Sequence, residues 1–297
     1  MSIPKFPNFK LLELADKKEI LSWLNKYPQT MCEMNFLFLF LWQHSNNHKL
    51  TIINNNLIIH VNSPIYPPYS YYPIGDHEII NTIEQCLTFS RCISCVSEQN
   101  VKKYFSNNNT FKVVEDIKNH DYIYLTNDLI RLEGKKYDGK RNHIKRFKKN
   151  NSYIYKKLEK KDQEKCIQIL KLWQNKNTNL DKLTIESQRD ALATLFDNFN
   201  NLNMHGGVLI VNNKIEAFSI ASPISNEMVT IHFEIGNPEL KGIFTTLTHE
   251  LAKNELSRFK YINREQDLGL PGLRKSKLSW NPHHLERKFD LTAVRQV

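Results

Sequence analysis

Three stretches of the chain gather residues able to move protons or hold phosphate. In the first, Tyr261 to Pro282, Arg264, Glu265 and Asp267 stand almost side by side, and Arg274 and Lys277 follow. A carboxylate in that setting can take the proton of an attacking amine or hydroxyl. An arginine fixed by a carboxylate can still present N–H groups to a phosphate or an ester oxygen. The same residues would equally form an ion-pair network within a turn. The second stretch is His232-Phe233-Glu234. On a strand, His232 and Glu234 share one face, opposite Phe233. Glu234 is then a further proton acceptor, or half of a solvent-facing polar pair. Gly242 follows, where a helix N-terminus can turn backbone N–H groups toward a pyrophosphate. The Pro238-Glu239 pair ahead of it is unlike the closely spaced small residues of an acyl-CoA loop.

The third stretch, Gly134 to Lys149, holds eight Lys or Arg against one acid, Asp138. Asp138 is placed to cap a helix starting at Gly139. Arg141, Lys145 and Lys148 then fall on one face, at i, i+4 and i+7, while Ile144 and Phe147 anchor another. A basic stripe held by an apolar one suits a phosphate-facing helix. It also suits a nucleic-acid-binding arm or a solvated helix at a domain junction. The formal net charge of +10 points the same way, toward phosphate-bearing partners.

Other chemistries are poorly supplied. Cys92 and Cys95 form a lone C-x-x-C with no partner pair, and His249-Glu250 lacks a second histidine, so no metal centre is expected. No phosphate loop, nucleophile elbow or kinase signature occurs. The five cysteines are odd in number and follow no secretory leader, which suggests a reduced, cytoplasmic protein. The most apolar run, Phe36 to Trp42, is far shorter than the roughly 20 residues a membrane-spanning helix needs.

The elements that must position these residues are legible from periodicity. Helices are expected after Asp16 and over Met34–Trp42, Lys161–Asn175 and Ser187–Asn203, with further helices after Asp76 and Asn237-Pro238. Leu50–Ile53 and Leu57–Val61 flank an asparagine turn, and Val208–Val211, Ile215–Ala221 and Met228–Ile235 make a meander. Short strands are expected around Cys92–Val96, Phe111–Val114, Tyr122–Leu125 and Tyr153–Lys157. A last strand, Lys260–Asn263, leads into a polar loop. Three meander strands, a helix and a strand match the core of the GNAT acyltransferase fold. The charge-dense segment divides the chain into 1–133, a junction helix at 134–150, and 151–297.

Two stretches, GKKYDGKRNHIKRFKK (Gly134 to Lys149) and YINREQDLGLPGLRKSKLSWNP (Tyr261 to Pro282), together resemble the signature segments of the phosphatidylglycerol lysyltransferase C-terminal-like family. The intervening HFEIGNPELKG is similar to its central segment, and MNFLFLFLW (Met34 to Trp42) to its early helix. The resemblance implies an α/β (α+β) protein of two tandem GNAT-like domains, with mixed, largely antiparallel sheets flanked by helices. It also implies kinship with Fem-type transferases, which pass an amino acid from aminoacyl-tRNA to a lipid or peptidoglycan acceptor. Arg141, Asn142 and Lys145 match the R-N-x-x-K/R pattern of that wider group. Lys277, ahead of Leu278 and Pro282, matches the lysine of the K-F-x-P ending of lysyltransferases, with Leu in place of Phe. No counterpart of their membrane-spanning portion is seen.

The expected activity is therefore acyl or aminoacyl transfer from a phosphate-bearing donor, aminoacyl-tRNA ahead of acyl-CoA, to an amine or hydroxyl such as a lipid headgroup. Glu234, Glu265 or Asp267 would take the proton, and Lys277 or Arg274 would meet the oxyanion. Arg141, Asn142, Lys145, Lys148, Arg264 and Arg274 would hold substrate or phosphate. The rival readings are an acyl-CoA-dependent N-acetyltransferase and a non-catalytic RNA-binding module.

Overall fold

A computed structural model of the chain describes residues 2–106, 109–177 and 181–294. The chain forms two compact units: Met1–Asp121 with Gln266–Gly269 and Glu286–Val297, and Tyr122–Glu265 with Leu270–Leu285. The basic helix expected at a junction lies inside the second unit, which begins at Tyr122 rather than near residue 134.

In the first unit the sheet runs β1 (Lys10–Leu11), β2 (His48–Ile53), β3 (Asn56–Val61), β4 (Tyr69–Tyr71), β5 (Ile93–Ser97), β14 (Lys288–Ala293) and β6 (Phe111–Glu115). Helices α1 (Lys17–Lys26), α2 (Phe36–Leu41), the short α3 (Gln43–Asn46), α4 (Ile79–Cys86) and the single turn α5 (Glu98–Asn100) accompany it. The β2–β3 turn places Asn54 and Asn55 at φ 47° and 57°. Asparagine tolerates this left-handed conformation and a tight hairpin requires it. Asp16 precedes α1 without capping it through its side chain. Its carboxylate instead accepts from Glu13 N and Lys10 Nζ. The core gathers Ile83, Val96, Phe105, Phe111 and Leu291.

In the second unit the order is β13 (His284–Glu286), β7 (Asp121–Leu125), β12 (Tyr261–Asn263), β11 (Met228–Gly236), β10 (Lys214–Pro223), β9 (His205–Val211) and β8 (Tyr153–Lys157). Its helices are α6 (Thr126–Arg131), α7 (Asp138–Asn150), α8 (Gln163–Lys176), α9 (Lys182–Asp197), α10 (Ile243–Asn254) and α11 (Pro271–Leu278). Asn212 and Asn213 again take φ 49° and 64° in the β9–β10 turn. The core centres on Tyr124, Val229, Ile231, Leu251, Ile262 and Trp280. Tyr261–Asn263 is not the last strand, since β13 and β14 follow. The expected polar loop beyond it contains α11, with Pro271 in its first turn, where the missing N–H costs no hydrogen bond.

Both sheets repeat one plan that the sequence does not betray as a repeat. Antiparallel strands lead to one parallel pair, β4 with β5 and β11 with β12, and a helix crosses over between its members, α4 and α10.

Candidate functional site

The parallel pair β11 and β12 stays in register only from Met228↔Tyr261 to Thr230↔Asn263, while β11 continues to Gly236. Beyond the last pair, side chains replace the backbone ladder. His232 and Glu234 project from the same face of β11, as alternation requires. Arg264 and Glu265, the two residues after β12, reach across to them. Sites of α/β sheets commonly lie at such C-terminal ends of parallel strands.

Arg264 donates to Glu234 Oε2 from Nε at 2.9 Å and from Nη2 at 2.6 Å. Thr248 of α10 donates to Glu234 Oε1 at 2.7 Å. Both oxygens of Glu234 are thus engaged. The Arg264 guanidinium lies 5.6 Å from the Tyr124 ring centroid and 5.3 Å from that of Trp280.

Glu265 is held differently. Its φ of 56° is left-handed and unusual for glutamate, and its N–H donates to Asn263 Oδ1 at 2.7 Å. Its carbonyl accepts from Tyr122 N at 3.2 Å and from Lys277 Nζ at 3.1 Å. Oε1 accepts from His232 Nδ1 at 2.9 Å, and His232 Nε2 meets Ser222 Oγ of β10 at 2.8 Å. Oε2 has no hydrogen-bond partner among the described residues. The Glu265 side chain keeps 18% exposure, against 0% for His232.

Lys277 is buried and ties Glu265 down: Nζ donates to the carbonyls of Arg264 and Glu265, and its own carbonyl accepts from Tyr124 Oη at 2.8 Å. The ammonium expected to meet an oxyanion therefore also braces the backbone that carries the carboxylate. Arg274, half-buried, lines a shallow depression on α11 with Pro271, Lys275 and Leu278. Asp267 does not join this group. It falls in the first unit, is 1% exposed, and accepts from Gly269 N at 2.8 Å, as a turn-stabilising aspartate does. Of the three carboxylates singled out in the sequence, Glu265 alone keeps an oxygen open.

The basic helix α7 forms a wall of a cleft of about 460 Å³. Arg131 of α6, Arg141, Lys145 and Lys148 of α7, and His249 of α10 line it, over Ile130, Leu132 and Ile144. Arg141 does not point freely outward. It donates to the carbonyls of Leu132 and Gly134 and pairs with Asp138, closing the turn that precedes the helix. Asp138 is accordingly the first helical residue and the partner of Arg141, not a side-chain cap. Lys148 lies 3.7 Å from Glu250, and Asn142 is exposed and outside the cleft lining. Gly242, with φ 95°, is taken up by packing: a Cβ there would meet the His143 carbonyl oxygen at 2.8 Å. Helix α7 thus closes over the α10 N-terminus, where a pyrophosphate was conceivable.

Lys140 carries a signal that sequence reading passes over inside a run of lysines. Its Nζ donates to Ser279 Oγ at 2.7 Å and stands 4.3 Å from the Trp280 ring centroid. Burial, with the Arg264 charge pushing the same way, brings its pKa down to about 8. Ser222 was also missed, because no motif marks it and its partner His232 is set only by β10–β11 pairing.

A sequence profile of the family described as "Phosphatidylglycerol lysyltransferase, C-terminal" matches residues 24–292. The chain belongs to this family. No curated protein matches it significantly. Among solved structures, a conserved protein of unknown function from Bacteroides thetaiotaomicron is similar over 96% of this chain and 99% of its own, with 28% identity and a TM-score of 0.88. L-PGS from Bacillus licheniformis is similar over 100% and 95% at 13% identity, with a TM-score of 0.64. FemX is similar over 95% and 96% at 9% identity, with a TM-score of 0.59. The last two likenesses are of fold. The lysyltransferase C-terminal fold is here two GNAT-like mixed sheets flanked by helices, as the sequence led us to expect. No helix among the described residues is long and apolar enough to cross a membrane.

Proposed function

We propose that this member of the lysyltransferase C-terminal family is an aminoacyltransferase, using aminoacyl-tRNA as donor and an amine or hydroxyl, including that of a lipid headgroup, as acceptor. The observation that carries the reading is Glu265: a braced carboxylate with one oxygen open, at the splayed end of a parallel strand pair. In the reaction, the acceptor N or O attacks the ester carbonyl and its proton passes to Glu265 Oε2. The acyl bond to the acceptor forms, the ester C–O bond breaks, and Glu265 returns the proton to the departing ribose oxygen. Lys277 braces the backbone that carries the carboxylate, and Lys277 and Arg264 supply positive charge beside the developing oxyanion. The cation-lined cleft of α6, α7 and α10 supports a donor with a phosphodiester backbone. The packing of Gly242 against α7 counts against acyl-CoA as donor. The protein would act in the cytoplasm, peripherally at a membrane when the acceptor is a lipid.

The test is transfer of radiolabelled lysine or alanine from charged tRNA to phosphatidylglycerol vesicles and to water-soluble amines, with acetyl-CoA as the competing donor. Label transfer from tRNA that Glu265→Gln abolishes supports the reading. Transfer from acetyl-CoA alone would replace it with N-acetylation, and tRNA binding without transfer would leave an RNA-binding module.

A further inference from the structure

Ser222, His232 and Glu265 come from β10, β11 and the turn after β12, and no short motif joins them. Ser222 pairs with Thr230 in the β10–β11 register, which puts His232 one diagonal step away on the same face. The two contacts, 2.8 Å and 2.9 Å, use both ring nitrogens of a fully buried imidazole. Glu265 Oε1 is a carboxylate oxygen and can only accept when ionised, so Nδ1 carries a proton. In the neutral ring that leaves Nε2 bare, to accept from the Ser222 hydroxyl. Two partners thereby fix one tautomer and one ring orientation, as second residues fix a histidine in metal and hydrolase sites.

We infer that His232 and Ser222 are positioning residues for the Glu265 carboxylate. Resting on the proton-acceptor role proposed above, the inference assigns the acceptor a buried support. Nδ1–H of His232 pins Oε1, which turns Oε2 toward the open side. Ser222 keeps His232 from exchanging its proton to the other nitrogen. The charged groups around this chain are Arg264 with Glu234 on one side and Lys277 below the Glu265 backbone. None of them contacts the His232 ring, so the tautomer rests on Ser222 and Glu265. Ser222 is only 2% exposed, which suits a support rather than a group meeting substrate.

Two measurements test this, one independent of turnover. Long-range 15N–1H correlation of the His232 ring is expected to show a protonated Nδ1 and a bare Nε2, and Glu265→Ala is expected to shift the proton toward Nε2. A wild-type ring protonated at Nε2 alone overturns the inference, whether or not the protein proves to be a transferase. In the transfer assay, His232→Gln removes the donor to Glu265 and is expected to lower kcat about 100-fold, the scale of a small misplacement of a reacting group. His232→Asn, whose amide can occupy the Nδ1 position, is expected to recover most of that loss. His232→Gln placed on Glu265→Gln should cost little more, since a support without its carboxylate has nothing to support. Additive losses in the double variant, or full activity in His232→Gln, overturn the inference while leaving the aminoacyl-transfer reading to the tRNA assay.

Discussion

Arg264 closes on Glu234 with two nitrogens, at 2.9 Å and 2.6 Å, and so removes from proton chemistry a carboxylate that the sequence offers as a base. The next residue, Glu265, faces the His232 imidazole through one oxygen and keeps the other open. Two glutamates on one strand edge thus stand differently: one holds the cation near the Tyr124 and Trp280 rings, the other keeps an oxygen open.

That division gives opposite outcomes for two conservative changes. Glu234→Gln removes the charge facing a largely buried guanidinium and is expected to destabilise the fold, near the lower end of the roughly 3–5 kcal/mol seen on breaking such pairs. Glu265→Gln is expected to leave urea unfolding nearly unchanged and to lower transfer about 100-fold or more. Urea titration and single-turnover rates on both variants decide it. Equal stability losses would remove the distinction.

Much of this site was visible in the sequence, and the rest was hidden for identifiable reasons. Alternation along Val229–Ile235 put His232 and Glu234 on one face without the structure, and paired asparagines marked both tight hairpins. Which residue meets His232 depends on how β10 and β12 register against β11, and local pattern does not encode non-local pairing. Asp267 looks like Glu265 in sequence, yet two positions along the chain move it into a buried turn contact with Gly269. Pro271 and Gly272 look like breakers, so local pattern predicts a loop where α11 forms. The proline sits at the one helical end where it does no harm. Strand β13 is too short, and β14 too mixed in polarity, to stand out from a tail.

Lys140 is expected to react as an unusually acidic lysine. Its pKa near 8 means that acetylation by an amine-reactive ester should rise through a midpoint near pH 8, well below that of ordinary lysines. Because the folded value is depressed, the unfolded chain binds more protons between about 8 and 10.5, so this group's contribution to stability grows with pH across that window. Glu234→Gln, which deletes the charge that opposes the shift, should move the labelling midpoint lower still. Mass spectrometry of the Lys140 peptide across pH reads both.

The first unit carries a buried charge cluster whose removal has a definite sign. Lys288 Nζ lies 2.7 Å and 2.6 Å from the Glu33 oxygens and 2.7 Å from Asp121 Oδ1, while Cys32 N donates to Asp121 Oδ2 at 2.8 Å. Burial works against the Lys288 charge, but Asp121, Cys32 and Glu33 more than reverse it and hold its pKa well above the ordinary 10.5. Its contribution is therefore complete below about pH 10.5 and is lost as pH rises through the folded value. Lys288→Met leaves two buried carboxylates without a cation and is expected to cost about 3–5 kcal/mol at neutral pH. Acid should narrow that deficit, since protonation relieves the unpaired charge. Urea midpoints of both proteins at pH 5, 7 and 9 check the sign, and a deficit independent of pH would argue for lost packing alone.

The cleft of α6, α7 and α10 makes a prediction about salt. A phosphodiester held by Arg131, Lys145 and Lys148 displaces condensed counterions, so log K should fall linearly with log salt. Each phosphate contact removed is expected to flatten that line by about 0.7 to 0.9. Lys145→Gln should do so with little effect on folding, because its side chain is exposed and no ion pair of the cleft depends on it. Lys148→Gln should do the same and also release Glu250, which still accepts from Tyr153 at 2.6 Å. Arg141→Gln behaves differently, since Arg141 closes the turn before α7, and it should lower stability as well as affinity. Fluorescence anisotropy of a labelled tRNA acceptor stem across a salt series separates the three. A slope unchanged by Lys145→Gln and Lys148→Gln together would remove this cleft as the phosphate site, and Arg141 would remain a structural clasp.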